Sequence, residues 1–413
     1  MKKFFWKSIR GHHATSAEAL ASSAAVPVSP SFAFIDNSQG ASAATAELSK
    51  ALDTVLNQIE PDASISQNGC QNYEFTRDYI VMPSAGGTVK AMTTTIVAPR
   101  DGIDLDNKFL PALVVAVRGS ESLMDHMVNA NTKPKSVADF IKFANENIGH
   151  IFSKSHTPAV ADCKAHSGFL NSAEALNAIC SQRIDEYIQK AGSERCHIVF
   201  TGHSAGGAVA SLLYLRHISN QIPGKQELSN SSIRLSCITF GALPVVDSSV
   251  LAFHPQREQS GGVCMNFVNE FDMVSRADRP YIICLVNLLR SLHGRPPLGS
   301  DEDEANFHAV PSPETLNPET KASDSANLLA ENVWPVTPCY YHHVGPRIVL
   351  LKRLEQAFQS EGYLLELRAM IVPPEEFQKL LFCRLAVHRR VCYAERVQMI
   401  EEGKFNGCSS WAL

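Results

Sequence analysis

The sequence lacks any uninterrupted apolar run of about 18 residues, the length that a helix needs to cross a bilayer, so no membrane-spanning helix is predicted. It also lacks a large excess of charge of one sign, because 37 Lys and Arg stand against 42 Asp and Glu, a formal charge of -5. Such a balance gives no strong positive field, and nucleic acid is not expected as a partner. The histidines form no helical pair with an acid between them, and no phosphate or dinucleotide loop occurs. We therefore predict neither a metal nor a cofactor.

The sequence also lacks paired cysteines. Its 11 cysteines are scattered singly, without the spacing of a zinc site. Several lie in apolar runs, such as Cys237 within residues 235–238, where a thiol behaves as a small buried hydrophobe. This pattern favours a reduced, intracellular protein, and we predict a cytoplasmic location.

The first residues carry no recognisable secretory signal, since Lys7 and Arg10 interrupt the apolar run of Phe4, Phe5 and Trp6. An amphipathic helix over residues 1–13 is the alternative, serving as a mitochondrial transit peptide or a contact with a membrane surface. Because residues 11–43 are rich in Ala, Ser and Pro, we predict a disordered tail over residues 1–43.

Short β-rich runs and helical patterns alternate through the middle of the chain. Leu48 to Ile59 has helical spacing, and further helices are predicted at Ser172 to Ala191 and Gly206 to Ile218. Several of the β-rich runs are continuously apolar, as strands buried on both faces are. The predicted strands are Tyr79 to Met82, Thr93 to Val97, Ala112 to Val117, His197 to Thr201, Arg234 to Phe240, Met265 to Val268 and Arg347 to Leu351. The alternation predicts an α/β fold with a mostly parallel central sheet covered by helices on both faces.

Composition divides the chain into three parts. Residues 44–352 are predicted to form one domain, with a surface insertion at about residues 295–336, where Pro-Pro, an acidic run and repeated Ser, Pro and Asn break the pattern. Residues 353–413 are predicted to be a helical extension packed on this domain, because Pro373 and Pro374 start a helix whose apolar face continues to Cys392.

The strongest chemical signal is the segment 202–207, Gly-His-Ser-Ala-Gly-Gly. An apolar strand precedes it and a small-residue helix follows it, which is the context of a nucleophile elbow. The glycines two places before and after Ser204 are needed because the strained turn and the adjoining elements leave no room for side chains. Ser204 is therefore predicted to be the nucleophile of a serine hydrolase.

Three further blocks resemble the class 3, or fungal triacylglycerol, lipases of the α/β-hydrolase superfamily. Residues 113–120 are similar to the family's strand followed by Arg-Gly-Ser, residues 165–169 to its His-x-Gly-Phe segment, and residues 239–244 to the strand and turn after the nucleophile. The blocks occur in the family's order and the resemblance covers about residues 80–352, so it is more specific than any single motif.

The resemblance implies the other members of a triad. The family's acid lies in an Asp-x-Val-x-Arg context that residues 272–276 match, which identifies Asp272, although Asp247 and Asp278 are alternatives nearby. The base must follow the acid, since the fold delivers Ser, Asp and His in that order. His343, before a tight turn and a buried strand, fits the family pattern best, and the other candidates are its neighbour His342 and the loop residues His293 and His308.

The same resemblance implies an oxyanion hole formed by the backbone N–H of Ala205 and a donor at Ser120. Residues 121–131 occupy the place where the family's interfacial lid begins, but without its tryptophan-bearing helix. The apolar stretch Tyr281 to Leu292 is predicted either to wall an acyl pocket or to be a core helix.

These residues predict a serine carboxylic ester hydrolase, an esterase similar to lipases whose partner is a hydrophobic ester substrate such as an acylglycerol. A lactonase, a thioesterase or an acyltransferase would use the same triad, with pocket shape deciding between them. The alternative from another class is a catalytically retired lipase scaffold that serves as an interaction module.

Overall fold

A computed structural model describes the main elements of the chain. The predicted tail 1–43, the lid region 121–131, Ser120, His308 and the insertion 295–336 lie outside the described residues. The described residues are 51–58, 73–82, 90–101, 110–119, 133–141, 163–191, 196–220, 233–247, 262–294, 339–345, 347–358, 362–401 and 405–408.

In the described part of the chain, nine strands form the central sheet, in the spatial order β1-β2-β3-β6-β7-β8-β9-β10-β11. Its strands are β1 (Tyr73–Val81), β2 (Met92–Pro99), β3 (Ala112–Val117), β6 (Cys196–His203), β7 (Ile233–Phe240), β8 (Cys264–Asn269), β9 (Arg347–Phe358), β10 (Gly362–Val372) and β11 (Phe405–Cys408). Strands β3, β6, β7, β8 and β9 pair in parallel. Short strands β4 (Pro134–Ser136) and β5 (Lys164–His166) form a separate antiparallel pair.

Helices cover both faces of the sheet, as predicted. They are α1 (residues 51–58), α2 (Ser167–Ala191), α3 (Ala205–Asn220), α4 (Arg279–Leu292), α5 (Pro374–Phe377) and α6 (Arg390–Glu401). Strand β3 shows why both faces need a cover, because its side chains alternate between two apolar cores. Leu113, Val115 and Val117 pack with α2 and α3, whereas Ala112, Val114 and Ala116 pack with α1 and α6. The mostly parallel α/β sheet is therefore confirmed.

The C-terminal region differs from its prediction as a helical extension. Strands β10 and β11 join the central sheet, with β10 antiparallel to β9 along their whole length. Buried residues alternate along β10, where Leu367, Ala369 and Ile371 face one core and Met370 and Val372 face another. Alternation with a period of two is typical of a strand and not of a helix, and it agrees with the pairing of β10 with β9.

The helix predicted to run from Pro373 to Cys392 is broken into α5, a 3-10 turn (Ala386–His388) and α6. Its main chain is bonded to side chains from elsewhere. The buried guanidinium of Arg276 donates to the carbonyls of Phe377 and Leu380, and the Tyr281 hydroxyl binds the main chain of Phe382. These tertiary bonds satisfy carbonyls that a continuous helix would use internally.

None of the helices in the described ranges combines the length and the apolarity that crossing a membrane requires.

Candidate active site

Ser204 lies in a sharp turn between the end of β6 and the start of α3. Its φ angle is +56°, in the left-handed region that L side chains rarely adopt. Its backbone N–H donates to the Phe240 carbonyl of the neighbouring strand at 3.0 Å, and its carbonyl accepts from Gly207. This strained turn lifts the hydroxyl above the carboxyl end of the sheet, as the nucleophile elbow does.

The two glycines that flank Ser204 have no room for a side chain. A Cβ on Gly202 would lie 2.4 Å from the Gly206 carbonyl carbon, and a Cβ on Gly206 would lie 2.2 Å from the Val117 carbonyl oxygen. The end of β3 therefore packs directly against the elbow, and the main chain fixes the position of Ser204.

We expect Gly206→Ala to destabilise the protein by at least about 1 to 3 kcal/mol, because the new methyl group meets backbone that cannot give way. Thermal denaturation measures the loss. Gly294→Ala is the control, since a Cβ there meets nothing within 4 Å although its φ of +65° carries some strain. Equal losses in the two variants would contradict the packing described here.

His388 joins Ser204 to Asp272. Its Nε2 lies 2.9 Å from the Ser204 Oγ, and its Nδ1 lies 2.8 Å from Oδ2 of Asp272. Since an ionised carboxylate only accepts, Nδ1–H donates to Asp272, and Nε2 is then free to accept the serine proton. The ring is mostly buried, with 16% of the side chain exposed. These three groups have the connectivity of a hydrolytic triad.

Asp272 is fully buried and bound by several donors. Its Oδ1 accepts from the Val274 N–H at 2.9 Å, and its Oδ2 accepts from the Tyr393 hydroxyl at 2.6 Å as well as from His388. Phe271, the residue before it, has a φ of +67°, which turns the chain sharply after β8. The carboxylate is therefore held in one orientation toward the imidazole.

His388 reaches this position from the C-terminal region. Strand β10 runs antiparallel to β9. The chain after β10 returns to the acid, where the backbone of Arg384 forms an isolated β-bridge with that of Asp272. Asn269 then donates through Nδ2 to the Val387 carbonyl at 2.9 Å. His203 donates through Nε2 to the His388 carbonyl at 2.9 Å and stacks on its ring at 4.8 Å between centroids. Contacts with the elbow and the acid loop thus hold the base.

His343, predicted to bind Ser204, does not occupy this place, and His388 stands there instead. His343 precedes a strand, whereas Ser204 and Asp272 each follow one. Its Nε2 donates to the Ala242 carbonyl at 3.1 Å, and the Phe377 ring packs edge-on against it. Burial, followed by the charges of His342 and Arg276, lowers the pKa of His343 to about 3, so the ring is a weak base.

The lowered pKa of His343 gives the fold a dependence on acid. Its ordinary pKa is about 6.5, so below that pH the unfolded chain binds a proton that the folded chain refuses until about pH 3. The contribution of His343 to the free energy of unfolding is therefore fully present above pH 6.5. It falls by up to about 1.4 kcal/mol per pH unit as the pH is lowered toward 3. We expect His343→Gln to flatten this slope in denaturant unfolding between pH 6.5 and 4. An unchanged slope would contradict a buried neutral imidazole.

The other described candidates for base and acid make hydrogen bonds within the fold, away from Ser204. His342 pairs its backbone with Val246 and its Nδ1 with Gln378, and His293 caps the end of α4. Asp247 accepts from the Lys164 N–H, and Asp278 caps α4 and binds the N–H groups of residues 340 and 341. Neither carboxylate contacts His388.

Ala205 begins α3, where N–H groups have no acceptor within the helix, so its N–H is available at the elbow. The stretch Tyr281 to Leu292 forms α4, which buries only Tyr281 and Cys284 and exposes Val286, Leu289 and Leu292.

His388 is not among the bases predicted from sequence, because residues 385–392 have the pattern of an amphipathic helix. The chain-order rule was the one available signal, since His388 also follows Asp272.

A comparison with protein families matches residues 114–281 to the family model described as Lipase (class 3). The matched segment includes Ser204 and Asp272 and ends before His388. The predicted resemblance to class 3 lipases is therefore confirmed for this part of the chain.

Two curated relatives from Arabidopsis thaliana, Protein EDS1 and Protein EDS1L, are each 37% identical over 91 residues. This stretch is 22% of this chain and 14% of the length of each relative.

Solved structures of fungal lipases also align with the chain. The native Rhizomucor miehei lipase propeptide complex is 19% identical, with 60% of this chain and 66% of that chain covered and a TM-score of 0.37. A triacylglycerol lipase from Penicillium expansum is 16% identical, with 56% and 73% covered and a TM-score of 0.34. Residues 114–281, which include Ser204 and Asp272, are therefore similar to the class 3 lipase family.

Proposed function

We propose that the chain hydrolyses carboxylic esters, with Ser204 as nucleophile, His388 as general base and Asp272 as the acid that orients it. The observation that carries the proposal is the continuous hydrogen-bonded path from the Ser204 Oγ through His388 to Asp272, at 2.9 and 2.8 Å. Nucleophile and base within bonding reach, with a third group orienting the base, define this chemistry.

In the first half of the reaction, His388 Nε2 takes the hydroxyl proton as the Ser204 Oγ attacks the ester carbonyl. The imidazolium that forms is stabilised by Asp272 and then gives its proton to the leaving alcohol. The ester bond breaks and an acyl-Ser204 remains. In the second half, His388 takes a proton from water, the hydroxide attacks the acyl group, and the acid leaves as Ser204 regains its proton.

The tetrahedral intermediates carry a negative oxygen that needs preorganised donors. The backbone N–H of Ala205 is one proposed donor, because it follows the nucleophile at the start of α3. Ser120 is the other proposed donor. Its neighbour Gly119 comes shortly after β3, the strand whose end packs against the elbow. Loss of one such donor commonly costs about 2.7 to 4 kcal/mol of barrier.

The family match supports a hydrophobic ester, such as an acylglycerol, as the substrate class. The solved structures that align with the chain include a triacylglycerol lipase. Lactone opening, thioester hydrolysis and acyl transfer would use the same three groups, so the nucleophile alone does not choose between them.

Hydrolysis of p-nitrophenyl esters graded from acetate to palmitate tests the proposal. We expect turnover, a burst of p-nitrophenol equal to the concentration of active sites when deacylation is slow, and faster reaction with longer acyl chains. A folded protein that hydrolyses none of these esters would contradict the proposal and favour a retired scaffold.

A further inference from the structure

The buried hydroxyl of Tyr393, on α6, contacts the triad acid directly. Its Oη donates to Oδ2 of Asp272 at 2.6 Å and accepts from the Asn269 backbone N–H at 3.0 Å. A phenol has a single proton, and an ionised carboxylate only accepts. The Asn269 N–H therefore occupies an acceptor position of the oxygen, and the phenolic proton is directed at Asp272.

The surroundings keep this proton in place. Tyr393 is 1% exposed, and its ring packs edge-on against His203 and Phe240. Burial, followed by the negative charge of Asp272, raises the pKa of Tyr393 well above its ordinary value. The hydroxyl therefore remains a donor throughout the pH range in which an esterase works.

Gly241 gives an independent indication that the contact is built into the fold. This residue follows β7 with a φ of +56°, and a Cβ there would lie 2.7 Å from the Tyr393 Oη and 3.0 Å from Asp272 Oδ2. Any side chain at this position would press on the hydroxyl and carboxylate together. The glycine leaves the space in which the two oxygens meet.

We propose that Tyr393 is a positioning residue of the triad, which holds the Asp272 carboxylate in the orientation that aims Oδ2 at His388. With Val274 N–H on Oδ1 and Tyr393 and His388 on Oδ2, the plane of the carboxylate is fixed by three donors. Removing the tyrosine proton frees the carboxylate to turn and leaves more of its charge to act on the imidazole.

The inference rests on the proposed ester hydrolysis, and it adds a residue beyond the segment matched to the family. We expect Tyr393→Phe to lower kcat, per titrated active site, on the order of tenfold, with KM unchanged. Because the less neutralised carboxylate stabilises the imidazolium, the midpoint of the acid limb of kcat/KM should move to higher pH by about half a unit to one unit.

Tyr281→Phe is the matched control. Its hydroxyl is equally buried and binds the main chain of Phe382, in the segment that leads to the base, without touching Asp272. We expect this variant to lose stability in thermal denaturation while its pH profile stays at the wild-type position. A purely structural Tyr393 would behave in the same way, and that result would overturn the proposal.

Proton NMR gives a readout that needs no turnover. The signal is the low-field resonance of the His388 Nδ1–H that donates to Asp272, and it is assigned by its loss in His388→Gln. We expect Tyr393→Phe to move this signal at fixed pH, and Tyr281→Phe to leave it in place. If wild-type protein hydrolysed no ester while the signal still moved, the proposed function would fail and the positioning role would stand. A signal unmoved by Tyr393→Phe would overturn the positioning role itself.

Discussion

Replacing His388 by alanine is expected to lower kcat/KM for a p-nitrophenyl ester by on the order of 10^4- to 10^6-fold. The imidazole Nε2 lies 2.9 Å from the Ser204 Oγ, and within the described part of the chain it is the base that contacts this hydroxyl. Without it, the Ser204 hydroxyl loses the base that takes its proton as the nucleophile attacks. Steady-state kinetics, with thermal denaturation to confirm folding, measures the effect.

His343→Gln is the matched control for this prediction. The glutamine amide can still donate to the Ala242 carbonyl that His343 binds, so the change removes an imidazole while keeping the bond that supports the fold. We expect the variant to keep nearly wild-type kcat/KM at neutral pH. If this variant were inactive and His388→Ala remained active, the base would have been assigned to the wrong histidine.

Ser204→Ala is expected to cause a loss of similar size, on the order of 10^4- to 10^6-fold, because no acyl-enzyme can form. Ser211→Ala is the control, since Ser211 is a buried serine on α3, the helix that follows Ser204, and its Oγ donates to the Gly207 carbonyl. Losing that hydrogen bond should cost about 1 kcal/mol of stability and leave kcat unchanged.

Triad residues act as a unit, so the double variant Ser204→Ala with His388→Ala should be no slower than either single variant. Additive losses would mean that the two side chains work independently, and that result would contradict the role inferred from the short contact between them.

The sheet and the elbow could be predicted from sequence because their signals are local. The continuous apolar run of β3 and the glycines around Ser204 follow from burial and backbone sterics over fewer than ten residues in each case. A Cβ on either elbow glycine would lie 2.2 to 2.4 Å from main-chain atoms, which shows why no other residue would serve. The contact of Asp272 with the base supports the acid inferred from the family resemblance.

The base could not be predicted in the same way, because its position is set by contacts distant in sequence. Asn269, His203 and Asp272 hold the segment that carries His388 from more than 100 residues away. Contacts distant in sequence also explain why the predicted continuous helix is broken. Arg276 and Tyr281 bind main-chain groups between Phe377 and Phe382. Hydrophobic periodicity in residues 373–392 carries no information about these tertiary partners.

The central claim is that His388 activates Ser204, and the rate at which a fluorophosphonate modifies Ser204 tests it most directly, because this reaction needs the base but no particular ester. Peptide mass spectrometry should locate the label on Ser204 in wild-type protein and in His343→Gln, at similar rates, and find modification of His388→Ala slower by on the order of 10^3-fold or more. Labelling that survives in His388→Ala and disappears in His343→Gln would contradict the account.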